Sequence, residues 1–154
     1  MTHALVTIND TFLLFATSIY MGTGWSLVFF SFPIAPSLTV DTYYQQFVPQ
    51  VQAATKFLTW LTILMTAAAI VMLVDEWGTR FMWFPVVVLV GLIAATGLTE
   101  VRLFPLNKLM ASHIRDESVL HSTLQRWMRL NRVRVALWTV EWLAAASYFA
   151  VKRP

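Results

Sequence analysis

The C-terminal third of the sequence carries most of the chemistry it offers. Asn131, Arg134 and Glu141 recur at helical spacing in a stretch free of Pro and Gly. At 100° per residue they fall on one stripe with Leu120, Leu124, Trp127, Trp138 and Ala145. From Val135 to Val151 the chain is apolar and Glu141 is its one charge, and an ionised Glu in such a setting is costly unless paired or facing water. The stripe must therefore point inward. Two readings are open. An Arg134–Glu141 pair can fix helix orientation and do nothing else, or the stripe can line a polar pocket. In that pocket Glu141 handles a proton, and Arg134 is its counter-ion or anchors an anionic or carbonyl group. Trp127 and Trp138 on the same stripe are placed to stack on an aromatic ligand.

Glu100, Arg102 and Asn107, with Pro105 between them, form a second set. They lie at the depth of Asn131 and Arg134 if the two helices are neighbours, so the sets can converge; a snorkelling Arg102 and a solvated Glu100 are the plainer alternative. His113 and His121, with Asp116 and Glu117 between them, do not have the H-E-x-x-H spacing that puts two imidazoles one turn apart. No metal is expected there. Haem is not expected either, because none of the three histidines lies inside an apolar span.

The elements that position these residues follow from composition. The chain has 154 residues, 58% of them hydrophobic and 12% charged, and no cysteine. A soluble domain carries about twice that share of charge, so the expected class is an integral membrane protein of one domain. The missing cysteines exclude disulfides, thiolate metal sites and cysteine nucleophiles. Charge-free stretches mark four spans, at about 11–32, 57–74, 81–99 and 135–151. Pro33 and Pro36 are expected to end the first, which lacks a basic leader and a small-residue cleavage site and is read as retained. Gly22, Gly24, Gly91 and Ala95 are read as close helix packing.

Between Glu100 and Val135 the sequence holds most of its charge, with no Gly after Gly97 and no Pro between Pro105 and Pro154. This predicts a helical loop over about 105–134: one short helix from Pro105 to about His113, then a long one from about Asp116 that runs directly into the fourth span. The fold class is thus all-α, a four-transmembrane-helix bundle with an extended helical loop between helices 3 and 4. Eight Lys and Arg (Lys56, Arg102, Lys108, Arg115, Arg126, Arg129, Arg132, Arg134) fall on the side of loops 1 and 3, against Arg80, Lys152 and Arg153 on the side of the termini. The positive-inside rule then places loops 1 and 3 in the cytoplasm. Nothing resembles a nucleotide loop, a serine triad or a nucleic-acid surface.

The segment PLN at Pro105–Asn107, followed by RWMRLNRVR at Arg126–Arg134 leading into an apolar helix, resembles the P-x-N … R-W-x-x-x-[HN]-x-x-R pattern of the DUF1772, or anthrone oxygenase-like, membrane proteins. Gly22 and Gly24, the aromatic FFSF, and Pro33, Pro36 and Leu38 of the first span add to the likeness. Pro105, Asn107, Arg126, Trp127, Asn131 and Arg134 match, with Asn131 where His is also common. The resemblance implies a four-helix membrane protein whose family includes enzymes that oxidise anthrones to anthraquinones. The expected function is an oxygenase-like enzyme acting on a hydrophobic, aromatic substrate without cofactor. Glu141 or Glu100 would be the base, Arg134 with Asn131 the oxyanion stabiliser, and Asn107, Trp127 and Trp138 further contacts. The alternative is a non-catalytic accessory or scaffold subunit that binds a partner helix, lipid or quinone. Expected partners are membrane lipids and a hydrophobic small molecule, with a homo-oligomer or larger membrane complex left open.

Overall fold

The computed structural model describes residues 2–152; Arg153, counted in the charge asymmetry above, lies outside them. Among the described residues the fold is all-helical. Its main elements are α1 (His3–Ser37), α2 (Tyr43–Asp75) and α3 (Trp83–Ala111), followed by α4 (Glu117–Val151). The first three are long and apolar enough to cross a membrane, in keeping with a membrane protein. The connections are short, so the helices alternate in direction. α1 packs on α2 and α4, and α3 packs on the same two. α2 and α4 therefore face each other diagonally across the bundle.

The first three helices outrun their expected spans, and the prolines explain two of the differences. Pro33 and Pro105 were expected to end one helix and begin another, but the chain stays helical through both. A proline inside a helix lacks the N–H for its i−4 bond, and its ring strikes that carbonyl. Here a five-residue π turn stands just upstream each time: Leu27–Ser31 before Pro33 and Thr99–Leu103 before Pro105. The wider i→i+5 turn opens the ladder where the ring would collide. The predicted short helix at Pro105 is accordingly the last part of α3. α2 begins at Tyr43 rather than near residue 57 and carries Pro49 inside it; Pro49 and Gln45, whose carbonyl loses its partner, are both exposed.

The start of α4 matches its sequence signal. Asp116 caps it, accepting hydrogen bonds from Ser118 N (2.7 Å) and Val119 N (3.2 Å). The Ser118 hydroxyl, followed by these amides, holds the Asp116 carboxyl below its ordinary pKa. The turn before it is fixed from α2. Tyr43, fully buried, donates to Met110 O (3.0 Å) and accepts from Ile114 N (2.6 Å). His113 adopts a left-handed φ of 56° and stacks on Tyr44 at 3.7 Å between centroids.

Two apolar cores lie one above the other along the bundle. One gathers Leu13, Met65, Met72, Val88, Leu92 and Val135. The other gathers Tyr43, Phe47, Leu106, Met110, Leu120 and Leu124. Large apolar side chains also point outward from every helix around the first core, among them Phe15, Ile63, Ile93 and Leu143. The far end of that core is closed by polar groups from α1, α4 and the α2–α3 connection. The Tyr148 hydroxyl lies 2.7 Å from Glu76 Oε1 and 3.1 Å from Asp10 Oδ2, and Lys152 bonds both Glu76 and Tyr148. Burial pushes the Glu76 carboxyl up, but hydrogen bonds from Lys152, Tyr148 and Thr79 outweigh it, and the net shift is downward.

Candidate functional site

Between the two cores the diagonal helices stand apart and leave a cavity of about 430 Å³. α1 contributes Tyr20, Leu27 and Ser31; α2 contributes Phe47, Val51 and Leu58; α3 contributes Leu92, Thr99, Glu100 and Asn107; α4 contributes Trp127, Arg134 and Trp138. Both π turns lie in its wall, through Leu27 and Ser31 on one side and Thr99, Glu100 and Leu103 on the other. The turns that absorb Pro33 and Pro105 thus also shape the space.

Arg134 is the cavity's cation. Its Nη2 donates to Asn131 Oδ1, its Nη1 reaches Thr99 Oγ1 at 3.5 Å, and its Cζ lies 4.5 Å from the centre of the Trp138 ring. The Nε is buried without a partner among the described residues. Among the described residues no carboxylate pairs with Arg134; the ion pairs there are His121–Glu117 and Lys152–Glu76. The Arg134–Glu141 pair read from the helical wheel is not made. Trp138 occupies the stripe between them, and the guanidinium turns toward Asn131 instead.

Asn131 is fully buried and does not line the cavity. Its Nδ2 donates to Trp127 O (2.9 Å) and its Oδ1 receives Arg134. With both ends engaged it positions the guanidinium and contacts no ligand itself. Asn107 and Trp127 are joined by an Nε1–H to Oδ1 hydrogen bond of 2.9 Å, which spans α3 and α4 at the cavity wall. The Trp127 ring packs edge-on against Phe47 at 4.7 Å and Phe32 at 5.9 Å.

Glu141 is fully buried, but it too is absent from the cavity wall. It sits against Gly91 of α3, where an added Cβ would meet Glu141 Cγ at 2.5 Å and Oε1 at 2.8 Å. Neither carboxyl oxygen has a hydrogen-bond partner among the described residues, and Trp138 Nε1 has none either. Gly91 is therefore the notch that admits a side chain, and Gly24 does the same for Val135, 2.8 Å from its virtual Cβ. Glu100 lines the cavity and is exposed. Arg102 is exposed and lies outside it. His121 sits 3.7 Å from Glu117 on the surface, and His113 is taken up by Tyr44.

The wheel missed Tyr20, Thr99 and Phe47. Tyr20 donates to Leu58 O (2.7 Å), contacts the Thr62 hydroxyl and stands edge-on to Trp138 at 4.7 Å. Nothing in its apolar segment singles it out. Tyr148 and Lys152 could have been found by carrying the stripe two turns beyond Ala145. In comparisons with protein-family models, curated proteins and solved structures, nothing matches this chain.

Proposed function

We propose that this chain is an integral membrane protein of four spans that oxidises a hydrophobic aromatic molecule, held by a carbonyl or phenolate oxygen at Arg134. This is the activity expected of an anthrone oxygenase-like protein. The observation that carries the reading is Arg134 itself: a guanidinium without a carboxylate partner among the described residues, in the wall of a mainly apolar cavity, with the Trp138 ring beside it and Trp127 in the same wall. A cation so placed favours an oxygen acceptor carried on an aromatic body. α4 counts as the fourth span because Val140 and Leu143 expose the same apolar surface as the outer faces of the other helices. Loops 1 and 3, with eight of the eleven basic residues, are assigned to the cytoplasm.

In an anthrone, the methylene opposite the carbonyl is acidic because its carbanion delocalises onto the carbonyl oxygen. Arg134 donates to that oxygen and lowers the cost of the negative charge. Asn131 and Thr99 fix the guanidinium, while Trp127, Trp138 and Tyr20 hold the ring. Glu100, the one acid among the lining residues, takes the first methylene proton. The carbanion then gives electrons to dioxygen. One oxygen atom becomes the new carbonyl, and the other leaves as water with both methylene hydrogens. Glu141, off the cavity wall, has no part in this scheme.

The accessory reading has its own support, since Glu100 is exposed and the sheltered acid, Glu141, lies behind the wall. Such a cavity can bind a quinone or lipid without turnover. Purified protein in detergent separates the two. Quenching of tryptophan fluorescence by an added hydroxyanthrone reports binding, and an oxygen electrode reports turnover. Arg134→Gln should weaken binding by about ten-fold or more, the worth of a charged hydrogen bond. Glu100→Gln should keep binding and lose oxygen uptake. Binding without oxygen uptake in the wild type leaves the accessory reading, and no quenching at all defeats the oxidation reading together with any quinone-binding role.

A further inference from the structure

A second cavity, of about 330 Å³, lies between the first part of α2 and the last part of α3. It shares Phe47, Val51, Thr55, Phe104 and Asn107 with the cavity at Arg134, so the two adjoin along these side chains. Its outer rim carries Lys56 from α2 and Lys108 from α3, both exposed and neither in an ion pair among the described residues. Between the lysines and Arg134 the lining is chiefly apolar. The pair offers a cationic mouth, a chiefly apolar throat where the two adjoin, and Arg134 in the inner cavity, whose wall also includes Glu100.

The position of the mouth adds to this. Lys56 immediately precedes the charge-free run from Phe57 to Val74. In the four-span arrangement that puts Lys56 at the level where lipid headgroups meet hydrocarbon, while Lys108, nine residues past the end of the third span, stands about 13 Å further out on the headgroup side. Two ammonium groups on facing helices, one at the hydrocarbon edge and one on the headgroup side of it, favour an anion attached to an apolar body, and disfavour a neutral or zwitterionic one.

We propose that the α2–α3 mouth binds the acidic headgroup of a membrane amphiphile, a carboxylate or phosphate carried on an apolar chain, with the chain lying in the throat toward Arg134. The mouth is then the lateral path by which ligands reach the inner cavity from the lipid. The inference rests on the cavity being a ligand site, but the ligand chemistry it names is its own.

The test uses the full chain purified in a neutral detergent, with native mass spectrometry as the readout. The probes are phosphatidylglycerol, phosphatidylcholine of the same acyl chains, oleate and inorganic phosphate. Wild type should retain phosphatidylglycerol and oleate over phosphatidylcholine and should not retain phosphate, which distinguishes a headgroup on a chain from a free anion. Lys56→Gln with Lys108→Gln should reduce retention of both acidic amphiphiles by about ten-fold or more. In the background with both lysines intact, Val51→Trp should fill the throat and reduce oleate retention. Equal retention of acidic and zwitterionic lipid, or unchanged retention in the double lysine variant, overturns the proposal. Circular dichroism and elution volume confirm that each variant is folded, and a variant that is not is replaced by Lys56→Met or Lys108→Met. Hydroxyanthrone quenching without any preference for acidic lipid overturns this proposal and leaves the oxidation reading, whereas acidic-lipid retention without hydroxyanthrone quenching does the reverse.

Discussion

Replacing Glu141 by methionine should stabilise the protein. The side chain is fully buried on α4 against Gly91, and both carboxyl oxygens lack a hydrogen-bond partner among the described residues. A buried, unpartnered polar atom costs about 1–3 kcal/mol. Methionine has nearly the same length and shape, fits the same notch and removes both oxygens. Two such atoms would suggest a gain of several kcal/mol. The reference state reduces this, because a helix unfolded within lipid still finds partners for a carboxyl group. The expected gain is therefore about 1–3 kcal/mol. Glu141→Gln keeps the polar atoms and should stay within about 1 kcal/mol of wild type. Gly91 is coupled to the same side chain: Gly91→Ala gains about 1 kcal/mol of helix propensity and loses about 1–3 kcal/mol to overpacking. That loss should vanish when Glu141 is truncated to Ala in the same chain, giving a coupling energy of at least about 1 kcal/mol. Reversible unfolding in mixed micelles, followed by circular dichroism against the mole fraction of SDS, measures all of these. A Glu141→Met variant destabilised by more than about 1 kcal/mol refutes the reasoning, because it would mean that the carboxyl makes a bond the apolar side chain cannot replace.

Three further outcomes follow from the same geometry. Tyr43→Phe leaves the buried Ile114 amide and Met110 carbonyl without their partner, so stability should fall by about 1–3 kcal/mol and hydrogen exchange at Ile114 should accelerate; unchanged exchange would show that another group takes over the amide. Glu76, whose pKa is depressed in the fold, contributes stability that is fully present above the ordinary carboxylate value and is lost as pH falls through its lower folded value. Glu76→Gln should therefore lower the melting temperature at neutral pH and flatten its acid limb below about pH 4, and a variant that keeps the wild-type pH profile contradicts the assignment. Cysteines placed at Thr2, Ser37, Thr79 and Ser122 should react as two classes in sealed vesicles, the first and third together and the second and fourth together. Any other partition rejects four spans.

Much of this architecture is written in local sequence. Charge-free runs and small charge content dictate apolar helices. Asp116 followed by Glu117 and Ser118 marks where α4 starts, and the recurrence of Leu120, Leu124, Trp127, Asn131, Trp138 and Glu141 at helical spacing marks its buried face. These features depend on residues within a turn or two of one another, so a single strand of sequence contains both partners. The prolines mark the limit of that logic. Pro33 and Pro105 read as helix boundaries, but a π turn resolves each clash and the helix goes on, an outcome that depends on the packing the longer helix gains. The wheel likewise put Arg134 and Glu141 on one face without deciding whom each would meet. Thr99 of α3 came to the guanidinium and Gly91 of α3 to the carboxyl, with the Trp138 ring beside Arg134 on the stripe between them. The cavity itself exists because α1 and α3 hold α2 and α4 apart on the diagonal, a spacing fixed by contacts between residues far apart in the chain and encoded in no segment of it alone.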